Sequence, residues 1–307
     1  EAGTALTTGD GNTFVGYASG DATTTAANNT STGYASLGAN TTGHSNAVLG
    51  ASALLANTEG SSNTSIGKDS MLVNTTGSNN VAVGTGALDA NTSANYNTSV
   101  GERSMSANTT GANNVAVGSQ ALLANTTAAN NTAVGYSALT ANTTGAQNTA
   151  VGTSAGAAIT TAVNTVVMGY QAGDAITTGN NNVAIGTTAL SANTTGASNT
   201  ALGHAALLAN TTGQRLVAVG TDSLDANTTG QRSTAVGYAT LSTNTEGNYN
   251  TAIGDIALQN NTTGDYNTGI GIGALEANTT ADNNTAVGAE ALDANTTGAN
   301  NTAIGRA

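Results

Sequence analysis

The run Asn-Thr-Ala-Val places β-branched residues at alternate positions, and variants of it recur along the whole chain, each followed by Gly. Alternation with period two predicts a short β-strand. A second run, Ala-Leu-x-Ala-Asn-Thr-Thr, follows a few residues later and predicts a second strand. Glycine after each run predicts two bends. A helix is a poor fit, because Asn-Thr-Thr-Gly would interrupt it in every repeat.

The recurrence is strictly periodic. With Gly16 as a marker, the same glycine returns at 33, 50, 67, 84, 101, 118, 135, 152, 169, 186, 203, 220, 237, 254, 271, 288 and 305. These 18 glycines stand 17 residues apart with no insertion or deletion. A constant contour length is what stacked coils require. The expected fold is therefore all-β: a parallel β-solenoid of about 18 coils, 17 residues per coil, forming one continuous repeat domain over 1–307. At about 4.8 Å per coil such a stack would be a rod roughly 80 Å long.

Positions are numbered here from the marker Gly as zero. The repeat from Gly135 to Val151, GYSALTANTTGAQNTAV, shows the consensus. Position +4 is Leu or Met in 14 of 17 repeats and +8 is Thr in all 17, so these columns predict structural roles. The expected ladder residues of this repeat are Gly135, Leu139, Asn142, Thr143, Asn148, Val151 and the next marker, Gly152. Each coil is expected to bury about one Val, one Leu, a β-branched Thr or Val, and several Ala. Five repeats carry Ala at +10 in place of Gly, so that bend is expected to need no glycine-only conformation. Where +4 becomes Gly at Gly156 and Gly173, +7 becomes Ile159 and Ile176. This exchange of volume predicts that +4 and +7 face one interior space. The Asn residues at +7, such as Asn142 and Asn193, should then be buried and form a ladder of amides.

Charge sharpens the picture. All 22 charged residues occupy six of the 17 positions: +1, +2, +5, +9, +11 and +12. Those columns should face solvent and the uncharged ones should be buried. All eight Tyr lie at +1 or +12, and Tyr17, Tyr34, Tyr136, Tyr170 and Tyr238 at +1 are candidate surface contacts.

Composition excludes several functions. Five Lys and Arg against 17 Asp and Glu argue against a nucleic-acid partner. No apolar run is long enough to span a membrane. Without Cys there is neither a disulfide scaffold nor a thiolate metal site. His44 and His204 lie in different columns, and the carboxylate pairs Asp222/Asp225 and Glu290/Asp293 lack acid–base partners. Gly271-Ile272-Gly273 is a repeat turn and not a phosphate loop. No catalytic residue, cofactor or metal ligand is expected. An ice-binding face wants two outward Thr separated by an inward residue, and the consecutive Thr at +8 and +9 do not supply that. The chain lacks an initiator Met and a leader, which reads as a processed chain or an excerpt.

The runs Asn-Thr-Ala-Val-Gly (131–135, 148–152, 284–288) and Asn-Asn-Val-Ala-Ile-Gly (181–186) resemble the Asn-Ser-Val-Ala-Ile-Gly repeat of YadA-like heads of trimeric autotransporter adhesins. The fuller repeat is also similar to arrays in bacterial and phage tail-fibre-domain proteins. The resemblance implies a left-handed β-roll, three chains side by side, and binding to host or matrix surfaces. Its repeat is shorter than 17, so the bends must differ. Little large apolar volume per coil and uncapped coils also point to self-association, as a homotrimer or an end-to-end filament. The expected function is a non-catalytic shaft of an extracellular fibre or adhesin filament at the cell surface, part of a longer fibre. The alternative is a virion tail-fibre shaft or a receptor-binding head with a cell-surface or matrix ligand.

Overall fold

The computed structural model describes all residues, 1–307, and contains strands and turns but no helix. The chain forms two compact units, residues 1–153 and 154–307. Both are built the same way. In the first, β1 (Thr13–Val15) is followed every 17 residues by another three-residue strand, ending at β9 (Thr149–Val151). The second runs likewise from β10 (Val166–Met168) to β18 (Thr302–Ile304). Neighbouring strands within each unit pair in parallel and in register, as in Thr132↔Thr149, Ala133↔Ala150 and Val134↔Val151. The fold is a parallel β-solenoid with 17 residues per coil, as the repeat predicts.

Each coil holds one strand, not two. The segment expected to be the second strand is a succession of turns. Its residues at +2 and +4 adopt positive φ in nearly every coil, for example Ser137 at 54° and Leu139 at 51°. A strand would send +3 and +4 to opposite faces. The left-handed residues instead turn both inward, and Ala138 and Leu139 are fully buried. Placing Leu there costs about 1–2 kcal/mol of backbone strain, against about 1.5–3 kcal/mol gained by burying it. The backbone still bonds from coil to coil: Leu122 N donates to Ala138 O at 3.0 Å and Ala124 N to Thr140 O at 3.0 Å.

The strand also faces the other way. Its middle residue, at +15, points inward; Ala133 and Ala150 are fully buried. The residues at +14 and +16 point outward. Val151, expected in the interior, is only half-buried, and Val15, Leu49 and Ile253 are exposed. The reason is space. Leu at +4 already fills the coil, so the strand can add only a small side chain. The interior columns are +3, +4, +7, +10, +13 and +15. Uncharged columns 0, +6, +8, +14 and +16 lie at the surface, so absence of charge marks more than burial.

The marker glycine is required. Gly118 has φ of 134°, and a Cβ there would sit 2.5 Å from the carbonyl oxygen of Gly135 in the next coil. The +10 bend differs: neither its glycines nor Ala94, Ala128 and Ala281 adopt positive φ, as the tolerated Ala implied.

Candidate interaction surfaces

The interior is held by side chains that bond to their own copies one coil away. At +7, Asn91 Nδ2 donates to Asn74 Oδ1 at 2.7 Å and to Ala94 O at 3.2 Å. Asn125 and Asn142 continue the same ladder, with Asn142 Nδ2 donating to Asn125 Oδ1 at 3.0 Å. The ladder of the first unit ends at Asn142, whose Oδ1 is buried without a hydrogen-bond partner. In the second unit it starts at Asn193, which accepts from Asn210 at 2.9 Å. At +13, the backbone N of Asn148 donates to Asn131 Oδ1 at 2.9 Å. Thr143 is half-buried, and its carbonyl accepts from the Thr126 hydroxyl at 3.1 Å. Gly135 and Gly152 form the strand-ending bend at φ of 133° and 134°.

At Gly173 and Ile176 the exchange of volume fills one interior space. Ile159 and Ile176 are fully buried, and a Cβ on Gly173 would meet Ile176 Cδ1 and Val167 Cγ1 at 2.7 Å each. The third +4 glycine, Gly20, has no Ile at +7. There Phe14 fills the gap, its ring 2.5 Å from where a Gly20 Cβ would lie. Buried hydroxyls are matched too: wherever +15 is Ser, the following +3 is Ser. Ser31–Ser36 and Ser65–Ser70 are paired at 2.6 Å. A buried hydroxyl needs a partner, which explains the coupled choice.

The outer surface carries the functional candidates. Tyr17, Tyr34, Tyr136, Tyr170 and Tyr238 are all exposed at +1. Only Tyr17 and Tyr34 come together, stacked with centroids 5.7 Å apart; the others stand singly. A stronger cluster lies at +12. Tyr249 and Tyr266 stack at 4.7 Å, and the Arg232 guanidinium lies 5.2 Å from the Tyr249 ring and donates to its hydroxyl. The signal was available: Arg215, Arg232, Tyr249 and Tyr266 occupy one column in four consecutive repeats.

No group of side chains is arranged for metal binding, and no pocket opens in the molecule. His44 contacts Ser45 and His204 lies 3.8 Å from Asp222, so the two histidines stay apart. In the +5 column, burial pushes the carboxyls of Asp89, Asp174 and Asp225 above their usual range. Asp89 and Asp225 each keep one buried oxygen without a partner. Asp21 is held below that range by the Thr4 hydroxyl.

The face at +14 and +16 is the other candidate. Thr or Val at +14 and Val, Ile, Leu or Met at +16 project outward from nearly every strand. Away from the first and last strands, exposure at +16 is 52% at Leu49 and 44% at Leu202, and no strand carries a charge in either column. No protein-family model matches the chain, and no curated protein matches it either.

Proposed function

We propose that this chain is a non-catalytic structural element of an extracellular bacterial fibre, whose copies associate side by side through the +14/+16 face into trimers or filaments. The observation that carries this reading is the absence of charge from an outward apolar face. Of the uncharged surface columns, these two are the ones that repeatedly carry large apolar side chains, whereas charge is confined to +1, +2, +5, +9, +11 and +12. Apolar residues repeated at nearly every coil, with charge kept out, fit a surface that a neighbouring copy covers. Coil-to-coil ladders suit a load-bearing role, because each added coil brings its own backbone and side-chain bonds. Scarce Lys and Arg leave few sites for trypsin-like proteases, which suits an exposed location.

Light scattering after size exclusion tests the reading. Association predicts species at multiples of 29.5 kDa, returning to 29.5 kDa when Val117→Glu and Val134→Glu place charge on the face. A wild-type chain that stays at 29.5 kDa at every concentration refutes it.

A second reading uses the same face. The strand supplies what Thr-Thr does not: two outward residues, often Thr at +14, separated by an inward one. That is the spacing an ice-binding face needs, with Thr in one of its two columns and an apolar residue in the other. Thermal hysteresis in the dilute chain supports this reading, and its absence removes it.

A further inference from the structure

We propose that positions +11 and +12 between Gln214 and Asn283 form a self-complementary contact that joins two copies of this chain antiparallel. Elsewhere these columns hold mostly Ala, Ser and Asn. Here five consecutive coils depart from that pattern: Gln214-Arg215, Gln231-Arg232, Asn248-Tyr249, Asp265-Tyr266 and Asp282-Asn283. Arg215, Arg232, Tyr249 and Tyr266 are exposed. The change reaches inward as well, because beneath the two arginines the buried Asn column at +13 gives way to Leu216 and Ser233. A regular array changes inside and outside at one place when that place does something the rest does not.

The strip has two unlike ends. Arg215 and Arg232 are two of only five Lys and Arg in the chain, and they sit in adjacent coils. Asp265 and Asp282 occupy the other end. Between them lie the stacked Tyr249 and Tyr266. The backbone N of three +11 residues donates to the side chain one coil on, Gln231 to Asn248 Oδ1 at 2.9 Å, Asn248 to Asp265 Oδ1 at 2.6 Å and Asp265 to Asp282 Oδ1 at 2.7 Å, so the acid column is held in place.

These charges are placed symmetrically about the Asn248–Tyr249 coil. Arg232 lies one coil before it and Asp265 one coil after; Arg215 lies two before and Asp282 two after. A two-fold axis through that coil, perpendicular to the stacking direction, sets Arg232 of one copy against Tyr266 and Asp265 of the other. The same axis sets Arg215 against Asp282 and Tyr249 against Tyr249. An isologous contact repeats each pairing twice. Parallel apposition would set Arg on Arg and Asp on Asp, and is disfavoured. Glu246, exposed at +9 of the central coil, lies beside the strip.

Five coils at about 4.8 Å, roughly 15 Å wide, bury only about 350 Å² per copy, against about 800 Å² in a standard interface. The contact is therefore weak and salt-sensitive by itself. It gains strength when many copies are already held in fibres, as a lateral tie between them. Only that last role rests on the fibre reading.

Sedimentation velocity of the full chain at low and high salt tests the proposal, with circular dichroism as a check of fold. The variants are R215E/R232E, D265K/D282K and the four-fold combination. Each double variant is expected to weaken low-salt association by about tenfold or more. Mixing the two double variants restores it, as does the four-fold variant, and restoration also shows that the variants fold. Association that is unchanged in the double variants, or that mixing fails to restore, overturns the contact. If Val117→Glu and Val134→Glu still abolish assembly in that case, the fibre reading stands without it. A wild-type chain that is monomeric at low salt overturns both.

Discussion

The exchange of Leu and Asn for Gly and Ile at 156/159 and 173/176 can be transplanted, and doing so measures whether +4 and +7 share one space. Leu88 and Asn91 are fully buried in the middle of the first unit. Leu88→Gly alone leaves a cavity worth about 3–5 kcal/mol. It also relieves a positive φ of 55°, worth about 1 kcal/mol, for a net loss of roughly 3 kcal/mol. Asn91→Ile alone removes the donor to Asn74 Oδ1 at 2.7 Å and the acceptor for Asn108 Nδ2 at 3.2 Å. Those two buried groups cost about 1–2 kcal/mol each, and forcing Ile beside Leu88 adds about 1–3 kcal/mol. The two single losses therefore sum to roughly 8 kcal/mol. In the double variant Ile fills part of the Leu cavity, so void and crowding are both reduced. Its loss should be smaller than the sum by about 2–3 kcal/mol, the coupling expected of residues in contact. Urea unfolding of all four proteins closes the cycle. Because a solenoid can unfold in parts, hydrogen exchange at the amides of residues 74–108 gives a local value as well. Additivity within about 0.5 kcal/mol would refute the shared-space argument.

Two further outcomes follow from the backbone and from burial. Gly118→Ala should destabilise by at least about 2–3 kcal/mol, because its Cβ meets the Gly135 carbonyl at 2.5 Å and its φ is positive. Asn113→Gly, at a φ of 59° in the +12 column, should be neutral or stabilising by up to about 1 kcal/mol; thermal unfolding checks both. The carboxyls of Asp89, Asp174 and Asp225 are raised above 3.8 by burial, so the folded state holds their protons more tightly than the unfolded state does. Their contribution to stability therefore rises as pH falls from neutral through the raised values, and levels off below 3.8, where the unfolded chain is protonated as well. Replacing all three with Asn should raise the midpoint at neutral pH and flatten this rise, and a steeper rise would reverse the assignment.

The 17-residue period, the sided coil, the buried Asn ladder and the Gly–Ile compensation are all readable in the sequence, because each is a relation between positions and survives any choice of backbone. The direction of the strand is not. In Asn-Thr-Ala-Val, period two sorts Thr with Val and Asn with Ala, but it does not say which pair faces in. Taking Val151 as core follows hydrophobicity, yet Leu139 and Ala138 already occupy the interior, and only Ala150 fits beside them. The second strand fails for a related reason. Leu139 at a φ of 51° looks in sequence like any strand Leu, since Leu carries no preference for that conformation. The +12 cluster is visible as a column of Arg and Tyr, but which rings stack depends on side-chain rotamers that the sequence does not set.

The matched interior pairs bear on how such a chain changes length. Ser65 answers Ser70 across a strand-ending glycine, Phe14 fills the space above Gly20, and Val167 and Ile176 close over Gly173. In each case the strand residue, Ser65, Phe14 or Val167, ends one sequence repeat and the residue it matches, Ser70, Gly20 or Gly173, begins the next. A duplication or deletion that begins at the marker glycine would separate such partners and leave a lone hydroxyl or a void. One that begins between +8 and +12, in the Thr-Thr-Gly turn, keeps every pair intact. The heritable module is therefore offset from the visible motif. Gain and loss of coils by recombination should leave its junctions in that turn.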